Sequence, residues 1–326
     1  MKKLATLLVL LFISSSTFAQ KEKIWVFLKD KGPEVKAQMS HPENYLSLKS
    51  LFRRQQQGIS IHESDVPVYS HYISEINDLG FKVIAKSKWL NAVSVEVSDE
   101  SFKSILLNLD CVIKVEKVNK LKVARSSTQT LKTEKTTSYG YGVANNNISF
   151  IKGVHLHDMG YKGQGMTIAV LDGGFSGAQS YLAFDSLNTS GRLLGTYNFV
   201  ARDTNVYKGG NHGMSVLSTM AGLLDTQIVG TAPKANYYLL VTEDDASEST
   251  IEEDNWVEGA EYADSVGADV INSSLGYSTF GDSNDNYSYS DMDGRTTIVS
   301  QGAIFAARKG ILVCVSAGNE GGSSWR

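Results

Sequence analysis

Two cysteines in 326 residues allow at most one disulfide, so no cystine framework holds this chain together. Those two, Cys111 and Cys314, lie in stretches of different character, and Cys314 sits in the apolar run "ILVCVSAGN", which predicts a buried structural thiol. No run of basic residues is longer than two and the net charge is only -4, so the footprint of a nucleic-acid-binding protein is missing. No internal repeat or long low-complexity tract is visible. The glycine fragment "GGFSGA" lacks the G-x-G-x-x-G spacing and "GQG" precedes its strand, which argues against a nucleotide site. No G-x-S-x-G elbow occurs either, and with it goes an α/β-hydrolase arrangement of serine, acid and histidine.

What is present begins with Lys2 and Lys3, an apolar run of ten residues from Leu4 to Ile13, and the small residues Thr17 and Ala19. A membrane-spanning helix needs roughly 20 residues, so residues 1–19 are expected to be a signal peptide cut before Gln20. The mature protein is then secreted, extracellular or periplasmic, with no membrane contact after cleavage. A 42% hydrophobic content is enough for a real core, and the length suggests about two domains.

The two halves follow different patterns. From "KIWVFLKD" to "VIKVEKV" the order is strand, helix, two strands, helix, strand, the split βαβ arrangement of a small α+β ferredoxin-like domain over residues 20–125. Residues 126–148 are polar with no long apolar face and are expected to be a linker open to proteolysis. From 149 to 326, buried strands ("MTIAVLD", "ANYYLLVTE", "ADVINSSLG", "GILVCVSAGN") alternate with helical patterns ("HGMSVLSTMAGLL", "NWVEGAEYADSVG", "TTIVSQGAIFAARKG"). That alternation predicts an α/β fold, a mainly parallel sheet with helices on both faces.

Ligands of such sheets bind outside the carboxyl ends of the strands, and four features converge there. Asp172 closes the first strand, before Gly173 and Gly174; His212 opens a helix 40 residues later; Ser273 to Gly276 end another strand; Asn319 follows the run holding Cys314. Each has a structural reading alone: a turn cap, a helix-start histidine, an ordinary Asn–Glu–Gly turn.

In this order, "GQGMTIAVLDGGF", "NHGMSVLSTMAG", "GTAPKA", "VINSSLG" and "VSAGNEG" resemble the subtilisin-like serine proteases (subtilases, peptidase S8), from about Gly153 to Arg326. The first half resembles their inhibitor-type propeptide. The resemblance implies a serine endopeptidase in which His212 is the general acid/base, Asp172 orients it, and the Asn319 amide serves the oxyanion. Ser274, Leu275 and Gly276 would pair their backbone with an extended polypeptide substrate. The propeptide would act as intramolecular inhibitor and chaperone, released by a cut between Lys120 and Asn145.

The family's nucleophile belongs to a G-T-S motif, and none occurs: Gly195–Thr196 precedes Tyr197, and Gly230–Thr231 precedes Ala232. The expectation is therefore a longer enzyme of which this is an incomplete part, inactive and poorly folding alone; the alternative is a catalytically inactive subtilase-like binding protein. No cofactor is required. Calcium is common in the family, and Asp282, Asp285, Asp291 and Asp293 offer oxygens, though without EF-hand spacing. The acids of "VTEDDASESTIEEDN" predict a solvated loop, with a preference for basic residues beside the cut as the alternative.

Overall fold

The computed structural model describes residues 22–97, 102–118, 120–121, 140–244, 248–249, 251–280 and 286–319. The expected signal peptide lies outside these residues, as does the linker up to residue 139. Among the described residues no helix is long and apolar enough to cross a membrane.

The N-terminal domain contains β1 (Glu22–Leu28), α1 (Val35–Met39), α2 (Leu48–Gln57), α3 (Ser70–Asp78), β2 (Val83–Ser87), β3 (Ala92–Val97), α4 (Phe102–Leu107) and β4 (Val112–Val118). Its antiparallel sheet has the order β2-β3-β1-β4, as the split βαβ pattern predicts. Strand alternation puts Ile24, Val26 and Leu28 on one face with Ile76 of α3 and Leu106 of α4. Trp25 leaves the opposite face and packs with Ala92 of β3 and with Ile251, which lies in the C-terminal half of the chain. Helices α1 and α2 have no counterpart in the sequence reading. The segment β5 (Lys120–Leu121) follows β4.

The second body opens with α5 (Asn145–Phe150) and α6 (Gly153–Asp158), then β6 (Thr167–Asp172), α7 (Asp185–Thr189), β7 (Leu193–Asn198) and α8 (His212–Ala221). A hairpin of β8 (Leu223–Leu224) and β9 (Ile228–Val229) follows, then β10 (Asn236–Val241) and β11 (Glu248–Ser249). The described part ends with α9 (Ile251–Val266), β12 (Val270–Ser273), α10 (Ile298–Arg308) and β13 (Leu312–Val315).

Its sheet runs β13-β12-β6-β10-β7 and every pair is parallel. Strand β6 is central and wholly buried because both faces are covered. Ala169 and Leu171 meet Trp256, Val257 and Ala260 of α9, whereas Ile168 and Val170 meet Leu217 and Ala221 of α8. Burying each large apolar side chain contributes about 1.5–3 kcal/mol.

One burial expectation fails. Cys314 is exposed and unbridged, while Cys111 is buried. Strand β13 is an edge strand; Val313 packs on the α9 side, but Leu312 and Val315 are 63% and 59% exposed. An apolar run signals burial only where both faces are covered, and among the described residues the second face of β13 is open.

Candidate active site

Asp172 ends β6 in the middle of the sheet, with its side chain fully buried. The chain turns at once, and the Gly173 N–H donates to Asp172 Oδ1 at 2.8 Å. Two loops meet there. The Ser176 N–H donates to the Gly210 carbonyl and the Met214 N–H to the Gly174 carbonyl, each at 3.2 Å. A Cβ on residue 174 would stand 2.6 Å from the Gly210 carbonyl oxygen, so this approach requires glycine.

These bonds seat the first turn of α8 over the end of β6. The His212 Nδ1 lies 2.7 Å from Asp172 Oδ1, with the imidazole half exposed. An ionised carboxylate can only accept, so Nδ1 carries the proton and Nε2 the lone pair of the neutral ring. Asp172 Oδ2 is buried without a hydrogen-bond partner among the described residues. The contact holds the imidazole in one tautomer beside a carboxylate shielded from water.

The other sequence-predicted residues surround a cleft of about 670 Å³ that includes Ser274, Leu275, Gly276 and Asn319 in its lining. Register explains this convergence. Ser273 stands opposite Leu171 on β6 and Val315 on β13, so the chain leaves three neighbouring strands at one level. The Ser316 N–H donates to the Ser273 carbonyl at 3.1 Å, and Ser316 Oγ donates to the Leu275 carbonyl at 3.3 Å. A Cβ on Gly276 would meet nothing within 4 Å, so a side chain there would project into open cleft.

Several residues at this site escaped the sequence reading. Trp256 of α9 lines the cleft and donates its indole N–H to Ser273 Oγ at 2.9 Å. Tyr277 donates to Glu243. Tyr287 donates to Glu253 at 2.7 Å, and the Val299 N–H reaches the same carboxyl at 3.4 Å. Burial raises the Glu253 pKa to about 7.

The solvated-loop reading of the acidic stretch does not fit its last three acids. Glu252, Glu253 and Asp254 are buried in the first turn of α9 and are not in the cleft lining, which has no charged side chain among the described residues. The Trp25 indole donates to Asp254 Oδ1 at 2.5 Å, and burial raises the Asp254 pKa well above the usual range. Helix geometry turned an acid-rich segment inward, toward donors distant in sequence. Residues 245–247 and 250 lie outside the described residues.

Of the four aspartates offered for calcium, Asp282 and Asp285 also lie outside them. Asp291 accepts from the Ser288 N–H and hydroxyl at 2.6 Å each, and Asp293 accepts from the Arg295 and Thr296 N–H groups at 2.7 Å. Both carboxylates serve local turns.

Comparisons with known proteins agree with this architecture. The model of the subtilase family matches residues 163–325, and that of the peptidase S8 propeptide domain, Bacteroidota, matches residues 23–135. Subtilisin E of Bacillus subtilis (strain 168) is 30% identical over 251 residues, 76% of this chain and 54% of its own. Subtilisin of Bacillus pumilus is 32% identical over 179 residues, 54% of this chain and 55% of its own. The chain spans about half the length of these curated relatives. The crystal structure of fervidolysin from Fervidobacterium pennivorans, a keratinolytic enzyme related to subtilisin, superposes with a TM-score of 0.55 at 18% identity, covering 95% of this chain and 41% of that one. A parallel sheet with an acid and a histidine joined at its carboxyl edge, an antiparallel domain before it, and both family models in the same order lead to one conclusion: the chain belongs to the subtilase family of peptidase S8 and carries that family's propeptide domain.

Proposed function

We propose that the protein is a secreted serine endopeptidase using an Asp-His-Ser triad, with Asp172 and His212 as two of its members. The observation carrying this is the 2.7 Å bond between a fully buried carboxylate and a half-exposed imidazole. His212 would take the nucleophile's proton and return it to the leaving amine, while Asp172 compensates the imidazolium. Asn319 would donate to the oxyanion; in a protease of this same family, losing such a donor lowers turnover by about 10²–10³.

Ser274, Leu275 and Gly276 would bind an extended polypeptide by strand addition. The uncharged lining of the cleft supports an uncharged substrate side chain there. Export is read from the charged, apolar and small-residue order of residues 1–19.

The domain limits proposed from the sequence stand as part of this reading: an inhibitor at 20–125, a processing linker at 126–148 and catalytic sequence from 149. Its mechanical support is the antiparallel pairing of Lys120–Leu121 with Glu248–Ser249, which lays the inhibitor's tail beside the body as a strand. The nucleophile has no G-T-S setting within residues 1–326, so residues 20–326 alone are expected not to hydrolyse casein.

The test is self-processing of the full gene product. Wild type is expected to be cut between Lys120 and Asn145 and the His212→Ala variant to remain whole. Normal processing of that variant would remove the protease reading in favour of an inactive binding protein.

A further inference from the structure

Helix α8 carries His212 at its first position and is fastened at both ends. Its first turn rests on the end of β6. Its last turn runs into the β8–β9 hairpin, and the chain leaving that hairpin doubles back on the helix. The Gly230 N–H donates to the Gly222 carbonyl at 2.8 Å, the Thr231 N–H to the Thr219 carbonyl at 2.9 Å and the Ala232 N–H to the Met220 carbonyl at 2.8 Å. The last carbonyls of a helix have no partner within it, so residues 230–232 serve as the cap of α8.

The cap is itself held. The Thr231 carbonyl lies 3.0 Å from His157 Nε2, on α6. A carbonyl can only accept, so in the neutral ring Nε2 carries the proton and Nδ1 the lone pair. The Tyr141 hydroxyl lies 3.0 Å from Nδ1 and donates to it. Both side chains are buried, and Tyr141 fills a small core with Ile148, Val154 and Val229. His157 is thus a connector, with one nitrogen for the cap and one for Tyr141. The next carbonyl of the cap, of Ala232, accepts from the Tyr237 hydroxyl of β10 at 2.9 Å.

Tyr141 belongs to a strap, residues 140–144, that lies along the hairpin. The Val143 N–H donates to the Gln227 carbonyl at 2.9 Å, and Gly142 bridges to Ile228. Two glycines permit the approach. A Cβ on Gly140 would stand 2.6 Å from Thr226 Cα, and one on Gly142, whose φ is 53°, would collide with the Gln227 carbonyl. Backbone bonds at the hairpin tip and a buried Tyr–His pair near its base make one continuous path from the strap to the far end of α8.

The ten residues of α8 make a rod about 15 Å long. A rod held only at its first turn can still tilt about it, and tilting turns the imidazole away from the carboxylate it meets at 2.7 Å. Hydrogen bonds weaken steeply as they bend, and misplacing a reacting group by about 1 Å costs on the order of 10²-fold in rate.

We infer that Tyr141 and His157 are positioning residues for His212: by holding the cap of α8 they set the angle at which the imidazole meets Asp172. That His212 is a general base rests on the proposed function; that its placement depends on the strap does not.

The experiment compares wild type, Tyr141→Phe, His157→Leu and His157→Gln in the full gene product. It reads kcat and KM on an extended peptide, and the downfield proton resonance of the His212 Nδ1–H, assigned by its loss in His212→Gln. His157→Leu should lower kcat by about 10- to 100-fold and shift or broaden the resonance. Its KM should change by less than about twofold, since the cleft itself is untouched. His157→Gln, whose amide still donates to Thr231, should recover most of the loss. Tyr141→Phe, which lacks one hydroxyl, should lower kcat several-fold.

A loss of stability in His157→Leu with kcat and resonance unchanged would reduce the pair to core filling and overturn the inference. So would a His157→Gln variant as impaired as His157→Leu. If His157→Leu does not fold, Tyr141→Phe decides: lowered kcat with a displaced resonance supports the inference, and wild-type values overturn it. A wild type that shows the resonance but hydrolyses no peptide would sink the protease reading, and the resonance in the variants then decides the placement alone.

Discussion

Gly213 and Asp172 touch: a Cβ on residue 213 would stand 2.8 Å from the Cβ of Asp172 and 2.7 Å from the Gly174 carbonyl oxygen. The helix bearing His212 can therefore descend onto the end of β6 only because its second residue lacks a side chain. Gly213→Ala should push α8 outward, lowering stability by about 1–3 kcal/mol as an overpacked contact does. Urea unfolding checks this, and an unchanged midpoint would show that the contact has slack.

Gly276 makes the opposite case. Space around it is open, and its backbone is not left-handed. Gly276→Val should leave stability within about 1 kcal/mol, since exposed positions away from special features tolerate change. It should weaken binding of an extended peptide tenfold or more on the proposed reading, measured by calorimetry. Equal affinity in the two proteins would remove Ser274–Gly276 from the substrate site.

Glu253 gives the fold a pH dependence. Burial raises its pKa from 4.5 to about 7, so between those values the folded protein holds a proton that the unfolded chain releases. Its contribution is thus most favourable at pH 4.5, declines as the pH rises to about 7, and is flat above. The span is on the order of 3 kcal/mol. Glu253→Gln keeps an acceptor for Tyr287 and should abolish this component, so the gap in urea midpoint between variant and wild type should widen from pH 4.5 to 7. A gap constant over that range would contradict the assignment.

The thiols should react unequally. Cys111 is buried, with its pKa pushed up to about 11 by burial, whereas Cys314 is exposed. Iodoacetamide should label one cysteine in the native chain and two in denaturant, read by mass spectrometry. No label on the native protein would place Cys314 under cover, and two labels would expose Cys111.

The sequence made the sheet legible because β6 is buried on both faces and reads as a continuous apolar run, and β10 carries a run of four apolar residues after its first two. Asp172 stood out in the sequence where such a run meets glycine and His212 as the first residue of a helical pattern, and the structure brings the two within 2.7 Å. Helix α2 was hidden because it inverts the usual pattern: Leu48 and Phe52 are 83% and 59% exposed, while Ser50, Arg53 and Arg54 are buried. Periodicity of apolar residues cannot find a face buried by charge. Its ends were readable, however, with Ser47 capping the start and Gly58 left-handed at the finish. Strand β7 was missed because it is a half-exposed edge strand interrupted by Gly195.

Four acids of α9 form a ladder whose rungs come in large part from the N-terminal domain, with Arg202 of the second body also pairing with Glu258. Asp254 is met by Trp25, Glu258 by the Lys86 amide, Glu261 by Ser87, Lys88 and Trp89, and Asp264 by the arginine pair. Standing alone, the helix would crowd like charges at three- and four-residue spacing along one side, which opposes its formation. The segment that donates to them is synthesised earlier and is already on hand when α9 leaves the ribosome. The order of translation thus supplies the template before the piece that needs it, and a body made without its N-terminal partner starts assembly with its central helix under repulsion.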